Sequence, residues 1–295
     1  MSGAVELSTP GQQIAERDPE QELLTINFGP HHPATHGVLR LLTTIEGEIV
    51  RDTKPIIGYV HTGIEKTIED KSYWKGIPVV ERMDYLAYFF NAYAFCGAVE
   101  TLLELEIPKR AQYLRVIHLE LMRINSHLLW LLTSALDLGA ISMFWYGFRE
   151  RDSILDLFEM STGARMHTRY FQVGGVAEDI PPGWAEKCRA FVGGMRERLG
   201  QYRAILDRNE IVLQRLRHTG AVPAERLLEL GVTGPLLRAA GIPWDLRKAA
   251  PYWPLSPALT SGARGNAAEQ PAPTSAAGRP VSLRANPAGP LWQTS

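Results

Sequence analysis

Apolar positions near the start of the chain are grouped as strands are. Leu23 to Phe28 and Val38 to Ile45 are rich in branched and apolar side chains, Glu46-Gly47-Glu48 supplies a turn, and Ile49-Val50-Arg51 returns. Pro55 to Lys66 then leads out of the sheet toward helix, with a second special turn expected at Gly63. From Asp84 the spacing becomes helical. Asp84 is placed to cap a helix running to about Leu105, with Leu86, Phe89, Phe90, Tyr93, Val99, Leu102 and Leu103 on a wide apolar face. Pro108 opens a second long helix, nearly antiparallel to the first, with Leu114, Ile117, Leu121, Ile124, Leu128 and Leu131 at helical intervals. Two more helices are expected, one from Arg149 to Met160 and a long charged one from Gly183 to about Arg217.

The apolar stretch from Leu128 to Phe148 invites comparison with a membrane span. Asp137 lies within it, Gly139 interrupts it, and Thr133, Ser134 and Ser142 dilute it. A charge at mid-bilayer costs about 2.5 to 3.5 kcal/mol even on a lenient scale. The stretch therefore reads as a buried helix end, and no transmembrane helix is expected.

After Tyr252 the sequence turns to Pro, Ala, Gly and Ser without helical or strand period, and disorder is expected. The pattern divides the chain into a flexible N-terminus (1–21), a β-rich region (22–66), a helical core (67–252) and a low-complexity tail (253–295). The fold class is α+β, a small antiparallel β region followed by a large, mainly helical core.

Charge and cysteines narrow the function. Thirty-one basic residues face 32 acidic ones, for a formal net charge of -1, which lacks the basic surplus of a nucleic-acid binder. Cys96 and Cys188 are the two cysteines, in no C-x-x-C pair, so the chain alone cannot supply four thiolates to an iron-sulfur cluster. Their number suits a reducing compartment. Residues Met1 to Glu22 are polar and acidic, unlike a signal peptide, so a cytoplasmic protein with a frayed N-terminus is expected.

The candidate chemistry lies in Gly29-Pro30-His31-His32-Pro33-Ala34-Thr35-His36-Gly37, a loop between two strands in which proline and glycine exclude regular helix and three imidazoles are presented. Taken alone, a histidine in such a loop is commonly a hydrogen-bonded structural residue. His31, His32 and His36 are also possible metal ligands if a further ligand arrives from elsewhere. Tyr85 by itself reads as a core aromatic at a helix start. Asp137, near the end of an apolar helix, demands a partner, because burying an unpaired carboxylate is costly.

Asn27-Phe28-Gly29-Pro30-His31-His32-Pro33-Ala34-Thr35-His36-Gly37-Val38-Leu39-Arg40 closely resembles the signature of the D subunit of NADH-quinone oxidoreductase, the 49-kDa-type subunit of respiratory complex I. Further segments agree in order and spacing: His61-Thr62-Gly63-Ile64-Glu65-Lys66, Glu81-Arg82-Met83-Asp84-Tyr85, Ala135 to Ala140, Ser161-Thr162-Gly163-Ala164-Arg165-Met166-His167, and Gly241 to Arg247. The likeness runs from about Glu22 to Tyr252. The family is related to the large subunits of nickel-iron hydrogenases, whose metal sits on two C-x-x-C pairs. No cysteine stands near Gly63 and Glu65 where the first pair would fall, so no metal is expected here and the corresponding cavity is left for a quinone headgroup.

The resemblance implies the site residues. His36 and Tyr85 would meet the two quinone carbonyls and supply protons, Asp137 would hydrogen-bond His36, and His32 and Thr133 would line the cavity. His167 would lie near the terminal iron-sulfur cluster of a partner subunit; without the resemblance it is a helix-end histidine. An imidazole and a phenol suit the task, since reduction places negative charge on two oxygens at opposite ends of a ring. The chain has no dinucleotide or flavin motif, so FMN, NAD and the clusters are implied for other subunits, and electrons must arrive from outside. The implied partners are the small subunit carrying that cluster and a membrane subunit through which quinone enters. The implied place is the cytoplasmic side of the cell membrane, peripherally, in a complex coupling quinone reduction to proton translocation.

The family ordinarily continues past Tyr252, and the Pro/Ala-rich tail reads as the product of a truncation or a shifted reading frame. A scaffold without its own chemistry is therefore the alternative. A metal hydrolase on His31, His32, His36 and Asp137 is a third reading. A helix-turn-helix over Ala224 to Ala240 is a fourth, disfavoured by the neutral charge balance.

Overall fold

In the computed structural model the described residues are 16–18, 23–31, 38–217, 219–246, 283–284 and 293–294. They form an α+β protein that divides into two compact units, residues 1–67 and 68–295.

The first unit is an antiparallel meander of β1 (Glu16–Asp18), β2 (Leu23–Phe28), β3 (Arg40–Glu46) and β4 (Ile49–Ile56), in that order across the sheet. β2 and β3 pair from Leu23↔Glu46 to Phe28↔Leu41. Gly47, at φ 60°, makes the β3–β4 turn, a backbone conformation that disfavours residues with a Cβ. Two expectations change here. The returning strand runs to Ile56 rather than stopping at Arg51, because it is an exposed edge with mixed polar residues that no apolar rhythm marks. Part of the N-terminus expected to be frayed pairs as β1. α1 (Ile64–Glu69) follows.

The second unit is helical: α2 (Tyr73–Val80), α3 (Tyr88–Leu102), α4 (Lys109–Asp137), α5 (Ile141–Thr162), α6 (Trp184–Leu206), α7 (Glu210–Leu216), α8 (Ala224–Glu229) and α9 (Gly234–Ala239), with a β5–β6 hairpin at Phe171–Gln172 and Gly175–Val176. α4 begins after Pro108, as its spacing predicts, and buries Leu114, Leu121, Ile124, Leu128 and Leu131, while Ile117 is exposed. Gly139, at φ 91°, turns the chain so that α5 runs back along α4. The antiparallel register is marked by Arg151 Nη1 donating to the Asn125 carbonyl at 3.0 Å and by His118 Nε2 lying 2.9 Å from Ser161 Oγ. The apolar stretch 128–148 is this helix pair and its turn, and among the described residues no helix is long and apolar enough to cross a membrane.

Close packing of α4 on α5 depends on Gly147. A Cβ there would fall 2.2 Å from Leu132 Cδ2, and Leu132 is fully buried. α6 covers α5 through Trp184, whose indole N–H donates to the Leu157 carbonyl at 2.7 Å, and through Tyr202, whose hydroxyl bonds the buried Glu150. Glu150 also faces Arg149 and Arg198. The hairpin is pinned by Arg115, which forms a buried pair with Glu100 at 2.6 Å and donates to the carbonyls of Gln172 and Gly175. Cys96 of α3 is fully buried beneath this layer, and burial pushes its thiol up to about 12.

The helices depart from expectation in four places. Asp84 does not cap α3. Its Oδ1 accepts from the Leu86 amide at 3.2 Å, stabilising a turn, and the helix starts at Tyr88. Leu102 and Leu103, expected on the buried face, are exposed. α5 starts eight residues earlier than Arg149, at Ile141. The long helix from Gly183 is two, since Asn209 Oδ1 accepts from the Ile211 and Val212 amides and caps α7. α8 and α9 do occupy residues 224–239, as two short helices. Most of the tail lies outside the described residues, and its described pairs, β7 (Leu283–Arg284) and β8 (Gln293–Thr294), are antiparallel strands.

Candidate functional site

Two of the sequence motifs meet in the helical unit. The run Glu81 to Tyr85 forms turns between α2 and α3, and the run after α5, from Gly163 to Tyr170, packs on it. α5 ends at Thr162 because Gly163 adopts φ 75°. The loop that follows holds His167 at φ 53° and Arg169 at φ 48°, left-handed conformations uncommon for residues with a Cβ. Contacts from the 81–88 segment hold both ends of the strained stretch. The Tyr88 hydroxyl donates to the Arg165 carbonyl at 3.0 Å, and the Arg169 amide donates to both oxygens of the Glu81 carboxylate at 3.0 and 3.2 Å.

Glu81 is fully buried. Burial pushes its carboxyl up to about 7, against the opposing pull of the Arg169 amide and the charges of Arg82 and Arg169. His167, half-buried, has its ring 5.6 Å from that of Tyr88, and its Nδ1 is enclosed without a hydrogen-bond partner among the described residues. Burial lowers its pKa, the charge of Arg82 lowers it further, and a backbone hydrogen bond with Glu81 opposes both. Tyr88 is raised by burial and by the Glu81 charge, so it remains a neutral phenol. Arg165 extends outward to Asp152, Asp156 and Glu159 on the exposed face of α5.

Beneath this loop lies an aromatic layer around His118. Its ring stacks on Trp184 with centroids 5.2 Å apart and lies close to Phe89, Phe158 and Tyr170. The Leu114 carbonyl, 2.8 Å from Nδ1, can only accept, so Nδ1 carries the proton and Nε2 accepts from Ser161. Burial pushes His118 down to about 4, which keeps it neutral.

The expected site residues are distributed unevenly. Tyr85 stands 52% exposed on its turn and is not the core aromatic that its position at a helix start suggests; Tyr88, a turn further on, fills that role. Asp137 ends α4 and is exposed, so the argument from a buried carboxylate does not apply to it. Thr133 is half-buried and its hydroxyl donates to the carbonyls of Leu129 and Trp130 in its own helix, at 3.0 and 3.2 Å. His167 lies in the loop beyond α5 rather than at a helix end. His32 and His36 lie outside the described residues, while His31 is exposed. The base of their loop is tied by Arg40, which donates to Asn27 Oδ1 and to the Tyr59 hydroxyl, each at 3.0 Å. Among the described residues no group of three or more His, Cys, Asp or Glu side chains is arranged to hold a metal.

The residues that sequence reasoning missed are Glu81, Tyr88, Arg169 and His118. Glu81 abuts the apolar run Ile77 to Val80, a signal that its carboxylate would be drawn inward.

The family model for the respiratory-chain NADH dehydrogenase 49 Kd subunit matches residues 137–256. The second NADH-quinone oxidoreductase D subunit of Roseiflexus sp. (strain RS-1) is 52% identical over 233 residues, 79% of this chain and 56% of that protein. The NADH-quinone oxidoreductase D subunit of Bacillus mycoides (strain KBAB4) is 48% identical over 231 residues, 78% of this chain and 63% of that one. The H subunit of the chloroplastic NAD(P)H-quinone oxidoreductase of Dioscorea elephantipes is 48% identical over 235 residues, 80% of this chain and 60% of that one. The chain thus spans about six tenths of the length of these relatives. Over the residues it shares with them, the chain is similar to the 49-kDa subunit of respiratory-chain NADH dehydrogenase, the D subunit of NADH-quinone oxidoreductases.

Proposed function

We propose that this chain serves as the quinone-site subunit of an NADH-quinone oxidoreductase. The observation that carries the reading, beside the family, is Tyr85. Its side chain is half in solvent, on a turn in which the Asp84 carboxylate accepts from the Leu86 amide and the buried Glu81 accepts from the Arg169 amide, so its phenol is available to a ligand.

Quinone is the substrate. It takes two electrons, delivered from the iron-sulfur cluster of a partner subunit, and two protons, one at each carbonyl oxygen, to become quinol. Tyr85 and His36 donate at the two oxygens and are reprotonated from solvent, and Asp137 holds the His36 tautomer; the roles of His36 and Asp137 rest on the resemblance. His32 lines the site. His167, whose enclosed Nδ1 has no partner among the described residues, faces the subunit that carries the cluster. That subunit and the quinone-channel membrane subunit are the partners, FMN and NAD act elsewhere in the complex, and this chain sits peripherally on the cytoplasmic side of the membrane as part of a complex that translocates protons.

The test is the assembled enzyme carrying His36→Ala or Tyr85→Phe. Quinone reduction falls while NADH oxidation by artificial acceptors persists. A parallel loss of both activities favours the scaffold reading, and so does failure of this chain to co-purify with the cluster-bearing subunit.

A further inference from the structure

Between the buried Glu81 and Tyr88 the chain shows its side chains to solvent. Arg82, Met83, Asp84 and Tyr85 are all exposed, whereas α3, which follows, is seated in the core through Tyr88, Phe89, Ala92 and Cys96. The shape of the turn is set by short-range hydrogen bonds. The Arg82 and Met83 amides donate to the carbonyls of Val79 and Val80, the Ala87 amide donates to the Asp84 carbonyl at 3.0 Å, and the Leu86 amide donates to Asp84 Oδ1 at 3.2 Å. One bond has a longer reach. Asn91, near the start of α3, donates from Nδ2 to the Asp84 carbonyl at 3.1 Å, seven residues back along the chain.

That carbonyl belongs to the peptide unit joining Asp84 to Tyr85. A peptide unit is planar, so holding its oxygen holds the plane from which the Tyr85 side chain departs. The Ala87 amide and the Asn91 side chain together supply two donors, as many as the oxygen has lone pairs. Asn91 itself is well anchored, since Phe89 and Ala92 on either side of it are fully buried. Asparagine is among the weaker helix formers, and α3 has no side-chain cap at Ala87, so this bond gives the residue a reason to stand there.

We propose that Asn91 is a positioning residue for Tyr85, tying the peptide that carries the exposed phenol to the seated body of α3. The consequence for the reaction rests on the quinone reading of Tyr85; the placement of the ring does not. A phenol that must meet a carbonyl oxygen loses rate when its orientation is loosened.

The placement is tested on the full chain labelled with 3-fluorotyrosine, with Tyr85→Phe identifying the Tyr85 fluorine resonance. In Asn91→Leu that resonance moves toward the position of free fluorotyrosine, while those of the buried Tyr170 and Tyr202 stay. An unmoved Tyr85 resonance, or an equal shift of all three, overturns the proposal. Asn91→Asp keeps the shape but puts an acceptor where the NH2 was; it acts as Asn91→Leu does, and decides the matter if leucine prevents folding. In the assembled enzyme Asn91→Leu lowers kcat for quinone reduction about fivefold, which corresponds to about 1 kcal/mol for one hydrogen bond, with KM for quinone changing by less than about twofold. The double variant is no slower than Tyr85→Phe alone, because the group being positioned is already gone. Additive losses overturn the proposal. If Tyr85→Phe leaves quinone reduction intact, it is the quinone reading that fails, and the fluorine resonance still decides whether Asn91 places the ring.

Discussion

Gly147 of α5 and Leu132 of α4 approach so closely that no side chain fits between them. A Cβ on Gly147 would meet three Leu132 carbons at 2.2 to 2.9 Å, and Leu132 has no exposed surface into which to move. Gly147→Ala should therefore lower stability by about 1–3 kcal/mol through overpacking, although alanine at an ordinary helix position would gain about 1 kcal/mol. Leu132→Ala should cost about 2–5 kcal/mol alone, yet add little to Gly147→Ala, because it removes the colliding atoms. Urea unfolding of the two single variants and the double variant measures the coupling.

Glu81 and His118 should oppose each other in the pH dependence of stability. His118 is near 6.5 when unfolded and about 4 when folded, so the unfolded chain binds more protons between those values and stability rises with pH across them. Glu81 goes from 4.5 unfolded to about 7 folded, so the folded chain binds more protons and stability falls across that window. Each contributes about 3 kcal/mol with opposite sign. Thermal melts should show Glu81→Gln exposing a rise in stability from pH 4 to 6.5, and His118→Phe exposing a fall from pH 4.5 to 7. Phenylalanine suits the second test because it keeps the aromatic layer and lets Ser161 donate to the carbonyls of Leu157 or Phe158.

Arg115→Met should be among the most damaging single changes. Glu100 would be left buried with the Gly174 amide as a donor but without its cation, and the Gln172 and Gly175 carbonyls would each lose a donor. Breaking one partner of such a pair costs about 3–5 kcal/mol. The loss should appear as a lower urea midpoint and as faster exchange of the β5–β6 hairpin amides.

Thr133→Ala separates lining from chemistry. The hydroxyl is already engaged by its own helix, so quinone reduction in the assembled enzyme should change by no more than about twofold. A loss of tenfold or more would show that the hydroxyl leaves the helix to meet the substrate.

The helical core was legible because one face of α4 carries Leu114, Leu121, Ile124, Leu128 and Leu131 at helical spacing, and Pro108 marks its start. The break between α6 and α7 was legible in principle in Asn209 followed by Glu210, a cap and an acidic first turn, but the same mixture of charged and apolar residues continues on both sides of it and hid it. β4 was cut short because an exposed edge strand with Lys54 and Pro55 carries no apolar rhythm. Asp137 looked buried from its neighbours, yet a helix end turns its last residue outward at Gly139. Glu81 escaped notice for another reason. The apolar run Ile77 to Val80 points to its burial, but its hydrogen-bond partner, the Arg169 amide, comes from a loop 88 residues away that no local pattern marks.

Cys96 gives the protein an internal clock. Alkylation requires a thiolate that reagent can reach, and the Cys96 thiol has neither access nor an ionisable range near neutrality while α3 stays seated. Cys188, partly open on α6, is under weaker constraint. In a timed maleimide exposure the first adduct therefore marks the surface and the second marks each molecule whose core has opened, so the interval between them reads the lifetime of the native packing in an unmodified chain.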